Sequence, residues 1–344
     1  MSFDPITTAP AAGIAAFREL LGRSKRVAIT THYNPDGDAM GSALGAGHIL
    51  KAMGHQVQVV LPNTAPAFLH WMPGNAGAIA FDTDREACEN ALKEADLVLC
   101  LDFNRQDRVG GLEEVLRGSG VKVMIDHHRD PEPFATIAFS DPEASSTCQM
   151  VFDIFSALGQ GERIDAQAAT CLFTGLMTDT GSFRFSSTSA HTLRVGAELM
   201  ERGAVPDVIH GAVMDDNTEE RLRLLGYALT EKLIVHHQLR TAIITLERSE
   251  LDRFGYKPGD TEGLVNYGLS IRGIRLAAFF VQRGSVVKVS LRSKGALPVN
   301  EFLAQHFAGG GHRNAAGGQA EMSVPEAVDR FMAALPAFLE QHPG

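Results

Sequence analysis

His32, Asp36 and Asp38 fall within seven residues, directly after the apolar run Val27-Ala28-Ile29-Thr30-Thr31. A histidine and two aspartates at the end of a strand form a candidate metal site. Matching residues recur downstream. Asp102 closes the apolar run 97–101, Asp126-His127-His128 closes the run 121–125, and Asp179 stands just ahead of Gly181. The candidate ligands are therefore His32, Asp36, Asp38, Asp102, His127 and Asp179. Four carboxylates gathered without counter-charge raise one another's pKa, and two divalent cations would balance them. Two such ions about 3.5–4 Å apart, sharing a carboxylate and a hydroxide, clamp the attacking and leaving oxygens of an in-line phosphoryl displacement. The mixture of carboxylate and imidazole suits Mn2+ first, with Co2+, Fe2+ or Zn2+ as alternatives. Each segment alone is a weak signal, because aspartates at strand ends commonly cap the next helix. It is their recurrence at matching positions that points to chemistry.

The elements that must position these residues read as alternating strands and helices. Residues 12–21 are expected to be helical, 26–31 a buried strand, 39–53 a helix closed by Gly54, and 56–61 a strand. A second unit follows, with helix over 86–93, strand over 97–101, helix over 112–116 and strand over 121–125. Short continuous apolar strands alternating with helices predict a parallel sheet covered on both faces. The polar residues then lie just past the carboxyl ends of the strands, where open α/β sheets bind ligands. Helices are expected over 147–158 and 166–177, the latter running into Asp179 just after its end, and over 190–202. A helical connector over 205–223 leads, past a boundary near 215–217, to strands over 233–237, 241–246, 276–282 and 286–292 and helices over 262–269, 300–307 and 325–340. Arg283-Gly284-Ser285 makes a tight turn between the last two strands. The expected fold class is thus α/β, with an N-terminal parallel-sheet domain (1–205), a helical connector (206–220) and a smaller α/β domain with a mixed sheet (221–344).

Composition narrows the function classes. A chain of 344 residues, 44% hydrophobic, has material for two ordinary cores. A net charge of -10 argues against affinity for long nucleic acid, including long duplexes, because counterion release needs many Lys and Arg contacts. Cys88, Cys100, Cys148 and Cys171 are widely spaced and read as buried thiols. The N-terminus lacks a basic segment followed by an apolar core, and no apolar run approaches a membrane span, so a cytoplasmic protein without membrane association is expected. His48, the pair His236-His237 and Trp71 read as structural residues.

The motifs His32-Tyr33-Asn34-Pro35-Asp36-Gly37-Asp38-Ala39-Met40-Gly41-Ser42, Asp102, Asp126-His127-His128 and Thr178-Asp179-Thr180-Gly181 resemble the four successive motifs of the DHH phosphoesterase superfamily. Gly309-Gly310-Gly311-His312 resembles the signature of the DHH-associated C-terminal domain, and the length and two-domain plan are similar to bacterial nano-RNase/pAp phosphatases. The resemblance implies His32, Asp36 and Asp102 around one metal, and Asp38, Asp102, His127 and Asp179 around the other, with Asp102 as the bridge. It implies that His128 contacts the scissile phosphate and that Asp126 orients the histidines, making Asp102, Asp126 and His128 the catalytic set.

Recognition is expected in the C-terminal domain. Gly309, Gly310 and Gly311 let backbone N–H groups approach an anion, and His312 and Arg313 add donors. Ser290-Leu291-Arg292-Ser293 resembles the family's second phosphate-binding segment, which makes Arg292 a further candidate. Arg184, Arg272, Arg275 and Lys294 are equally consistent with solvated surface charge. The implied activity is Mn2+-dependent hydrolysis of very short oligoribonucleotides to mononucleotides, together with 3′-phosphoadenosine 5′-phosphate (pAp). Linear or cyclic dinucleotide hydrolysis is the alternative. Pyrophosphate hydrolysis and non-catalytic nucleotide binding are disfavoured by the glycine-rich signature and the intact ligand motifs. The family also implies a homodimer.

Overall fold

The computed structural model describes residues 11–215 and 217–343. The N-terminal residues on which the absence of a signal sequence was read lie outside it, as does position 216 within the expected boundary. The chain divides into two units, one up to residue 215 and one from residue 217.

The first unit runs α1 (Ala11–Arg23), β1 (Arg26–Thr30), α2 (Gly37–Ala52), β2 (Gln56–Leu61), β3 (Ile79–Ala80), α3 (Arg85–Glu94), β4 (Leu97–Leu101), α4 (Glu113–Gly118), β5 (Val121–Asp126), β6 (Ile137–Ser140), α5 (Thr147–Ala157), α6 (Ala166–Asp179), α7 (Ala190–Glu201) and α8 (Pro206–Met214). Its six strands are all parallel, in the order β3-β2-β1-β4-β5-β6. Successive side chains alternate between two cores. Val27, Ile29, Leu97, Leu99 and Leu101 join one with α2, α5 and α6, while Ala28, Val98 and Cys100 join the other with α3 and α4. Fully burying each leucine of β4 is worth about 1.5–3 kcal/mol before ordering costs. The strand order reverses direction between β1 and β4, and ligands of such sheets bind outside the strands at that switch point. Helix α2 is buried along almost its whole length and packs on α6 through Gly41, Gly45 and Gly175.

The second unit runs α9 (Glu219–Glu231), β7 (Leu233–His236), β8 (Thr241–Leu246), α10 (Arg248–Arg253), α11 (Leu264–Ser270), β9 (Leu276–Arg283), β10 (Val286–Ser293), α12 (Val299–His306), β11 (Gly310–His312), β12 (Ala315–Ala320) and α13 (Val324–Gln341). Its sheet, ordered β11-β12-β10-β9-β8-β7, is mixed, with β8 and β9 parallel and the other pairs antiparallel. One face buries Val287, Val289 and Leu291 against α12 and α13, and the other buries Phe279 and Val281 with residues of α9, α10 and α11.

Three local expectations change. The connector is two helices rather than one, because α8 ends at Asp215 and Thr218 caps a new helix by accepting from the Arg221 amide. Asp179 is the last residue of α6 rather than a residue beyond it. The glycine-rich segment 309–318, where no strand was expected, is a β-hairpin, with Gly311 paired to Ala316. The short strands β3 and β6 add to the elements expected from the sequence. All four cysteines are free and buried. Trp71 packs on the core and donates to the Phe68 carbonyl, and His48 lies 3.1 Å from the Pro73 carbonyl, both structural roles.

Candidate metal centre

The end of β1 turns through Asn34, whose left-handed φ of 57° redirects the chain into α2. Asp36 caps that helix by accepting from the amides of Asp38 and Ala39, at 3.0 and 3.1 Å. The capping role that weakens each aspartate as a signal is thus real here, yet Asp36 also lies 3.9 Å from His32 Nε2. His32 Nδ1 is occupied by the Tyr33 carbonyl at 2.9 Å, which turns Nε2 toward Asp102 Oδ2 at 3.4 Å.

Asp102 is the centre of the arrangement. It is 1% exposed and holds a left-handed φ of 66°, a conformation costing an L residue about 1–2 kcal/mol. Its Oδ2 faces His32, and its Oδ1 lies 3.6 Å from His127 Nε2. Two potential donor sets therefore meet at one carboxylate: His32, Asp36 and Asp102 on one side, and Asp38, Asp102 and His127 on the other. Asp179 joins the second, 3.6 Å from His127 Nε2. Every sequence-predicted ligand is brought together in the first unit.

Asp126, fully buried at the end of β5, accepts from the backbone amide of His128 at 2.9 Å and lies 2.7 Å from its Nδ1. It therefore fixes the His128 ring, but His127 is oriented differently, by the Ala144 carbonyl 3.3 Å from its Nδ1.

Further support comes from α5, outside the residues expected from the sequence. The Thr147 and Cys148 amides donate to the two oxygens of Asp38 at 2.7 and 2.9 Å, and Thr147 Oγ1 donates to Asp102 Oδ1 at 2.9 Å. A helix N-terminus presents unsatisfied amides and positive potential, which suits a buried carboxylate. The signal was Ser145-Ser146-Thr147, since Ser146 is the helix cap.

The electrostatics describe a site built for cations. Burial pushes Asp38 well above the usual carboxylate range, reinforced by Asp102 and Asp179. Burial likewise raises Asp179 to about 7, despite the opposing charge of His127. Burial disfavours a charged His32 and a charged His127, but the surrounding aspartates outweigh it and hold both at about 9. Burial also acts against a charged Asp102, yet the His32 hydrogen bond and three nearby histidines keep it well below its ordinary value. In the absence of a metal, protons on histidine are the counter-charge. Divalent cations fit the same donors and would displace those protons.

In the second unit Arg292 is half-buried on β10 with Ala277 and Ala315 as its pairing partners, so small residues border the guanidinium. Burial pushes it below the ordinary arginine value, with Glu262 as the nearby opposing charge. The hairpin explains two of the three glycines. A Cβ at Gly309 would sit 2.4 Å from the Gly317 carbonyl oxygen, and one at Gly311 would sit 2.8 Å from that of Ala315. Gly310 alone faces open space. Arg313 donates twice to the Ala296 carbonyl, and Asn314 ties the hairpin to Ser293 and Gly295.

Comparison with known proteins agrees with this architecture. Residues 26–176 match the DHH family, N-terminal domain, and residues 240–341 match the DHHA1 domain. The chain is 32% identical to the bifunctional oligoribonuclease and PAP phosphatase NrnA of Thermus thermophilus, over 89% of this chain and 88% of that protein. It is 27% identical to the cyclic-di-AMP phosphodiesterase PdeA of Listeria monocytogenes, over 94% of this chain and 49% of that protein. The crystal structure of an exopolyphosphatase-related protein from Bacteroides fragilis superposes with a TM-score of 0.94 at 38% identity, covering 98% of this chain and 99% of that one. No helix among the described residues is long and apolar enough to cross a membrane. With both domain models matched in order, and with a relative similar over nearly its whole length, the chain belongs to the DHH family of phosphoesterases and is a hydrolase of phosphoester bonds.

Proposed function

We propose that this enzyme hydrolyses very short oligoribonucleotides to mononucleotides, and pAp to AMP, using two divalent cations, Mn2+ before others. The observation that carries the reading is the pair of donor sets meeting at Asp102, and the near full-length similarity to an oligoribonuclease and PAP phosphatase supports it. His32, Asp36 and Asp102 would hold one ion, and Asp38, Asp102, His127 and Asp179 the other. Two bound cations would neutralise the carboxylates, polarise phosphoryl oxygens and make water acidic enough to serve as a nucleophile at neutral pH.

The chain's own groups do the rest. Asp126 holds His128 in the rotamer that offers its remaining ring nitrogen to a phosphate oxygen. The Thr147 and Cys148 amides keep Asp38 aimed, and the Thr147 hydroxyl keeps Asp102 aimed. Arg292, the open Gly310 amide, the adjacent Gly309 and Gly311, and His312 would supply phosphate recognition in the DHHA1 unit. A net charge of -10 suits short substrates held by local cations better than long strands.

A second reading, hydrolysis of linear or cyclic dinucleotide messengers, is favoured by the similarity to PdeA, which spans half of that protein. The test is a substrate panel with Mn2+: RNA of about two to twenty nucleotides, pApA, cyclic di-AMP, pAp and pyrophosphate. Rates falling steeply with RNA length support the first reading. Equal rates on long strands contradict it, and preferential turnover of cyclic di-AMP would establish the second.

A further inference from the structure

Four cations form one row across the second sheet. The register pairs Thr241 with Leu276, Leu276 with Ser293, and Arg292 with Ala315. One step outward on β8, β9 and β10, and two on β12, this register sets Arg240, Arg275, Lys294 and Arg313 side by side at the ends of successive strands. Backbone bonds carry the register past the strand ends, with the Arg275 amide donating to the Arg240 carbonyl at 2.8 Å and the Lys294 amide to the Arg275 carbonyl at 2.9 Å. Neighbouring strands lie about 4.8 Å apart, so the row extends roughly 14 Å.

All four residues line one open cavity of about 560 Å³, which Gln341, His342 and Pro343 also line. Among the described residues that line it there is no aspartate or glutamate. Two of the side chains are pinned to the wall. Arg240 Nε donates to the Gly273 carbonyl at 3.0 Å, and Arg313 Nε and Nη2 both donate to the Ala296 carbonyl. Arg240 also takes a left-handed φ of 48°, a strained conformation of the sort that persists where the surroundings enforce it.

Like charges opposed on adjacent strands are destabilising, and the chain carries ten more acidic than basic side chains. A cationic row in such a protein is thus not a by-product of composition. We propose that this row binds successive phosphates of a single-stranded oligonucleotide, as a phosphate track additional to Arg292 and the metal centre. The choice of an oligonucleotide among phosphate chains rests on the function proposed above, whereas the track itself rests on the row and its cavity.

The test uses the full chain in EDTA, where turnover is blocked, and a fluorescently labelled RNA of about ten nucleotides titrated at several KCl concentrations. Replacing Arg240 and Lys294 together by Gln is expected to weaken binding at least tenfold. The log–log salt slope should flatten by about 1.4, since each phosphate contact on a single strand contributes about 0.7. Mn2+-dependent dinucleotide hydrolysis, which reports folding and the metal centre, should stay within about twofold of wild type. Unchanged affinity and slope in a folded variant would overturn the proposal, and so would a parallel loss of dinucleotide hydrolysis. Linear polyphosphate or inorganic phosphate competing as well as unlabelled RNA at equal phosphate concentration would overturn the oligonucleotide assignment. If the double variant fails to fold by circular dichroism, the exposed single substitution Arg240→Ala carries the same test with a slope change of about 0.7. A wild-type chain that hydrolyses nothing would contradict the proposed function while leaving this binding measurement readable.

Discussion

Gly175→Ala should loosen the metal centre from behind. Gly175 lies on α6 where that helix meets α2, and a Cβ there would sit 2.3 Å from Cys148 Sγ and 3.0 Å from both the Cα and Oδ1 of Asp38. The sulfur belongs to a residue that is 1% exposed and whose amide holds Asp38, so it has little room to retreat. Overpacking of this kind costs up to about 3 kcal/mol, offset by about 1 kcal/mol of helix propensity gained on leaving glycine. The net loss is about 2 kcal/mol, or roughly 4–8 °C in the melting temperature of a unit of this size. Because the strain falls on Asp38 and its α5 amides, Mn2+ affinity should also fall by about 10–100-fold, as when a supporting residue of a metal ligand is lost. Calorimetric melting of the metal-free chain and isothermal titration with Mn2+ read the two effects. Cys148→Ala in the same chain removes the clashing sulfur and should restore at least half of both, a coupling of about 1 kcal/mol. Gly211→Ala in α8, where a Cβ would meet nothing within 4 Å, should not destabilise. If Gly175→Ala left melting temperature and Mn2+ affinity unchanged, the coupling of helix packing to the site would be refuted.

Thr147→Val, nearly isosteric, removes the hydroxyl that holds Asp102 and should lower Mn2+ affinity about tenfold or more, with Thr147→Ser restoring it. In the metal-free chain, His32 and His127 titrate at about 9 rather than the ordinary 6.5. Their folded pKa values are raised, so their stabilising contribution is complete below about pH 6.5 and is lost as pH rises through about 9. The melting temperature in EDTA should fall across that window, and saturating Mn2+ should abolish the fall because it binds the deprotonated site. For the same reason, Mn2+ binding at pH 7 should release at least two protons per chain. This is measurable by titration calorimetry in buffers of different ionisation enthalpy, and release of none would contradict the proton-balanced site.

Much of the site was legible because parallel strands announce themselves. The continuous apolar run at 97–101 and the run at 121–125, interrupted by Lys122, fixed where β4 and β5 end, and residues just beyond those ends had to share an edge of the sheet. What stayed hidden depends on contacts distant in sequence. Thr147 lies 109 residues from Asp38 and 45 from Asp102, and no local pattern announces that α5 points at them. The hairpin at 310–320 was masked by its glycines, which weaken a strand signal, although Gly311 and Gly318 are required here by close backbone approach. The row of Arg240, Arg275, Lys294 and Arg313 exists only through strand register: read alone, Arg275 and Lys294 were equally consistent with solvated charge, Arg313 stood out only beside the glycines, and Arg240 carried no signal.

The number of ions that the Asp102-centred cluster holds during turnover decides most directly between one metal and two. Equilibrium dialysis can count Mn2+ bound per chain alongside dinucleotide turnover measured on the same samples. Two ions per chain are predicted, with turnover rising as the second site fills, and with Asp102→Asn losing both ions and activity. Full turnover with one ion per chain, or in the presence of EDTA, would contradict the shared-carboxylate site.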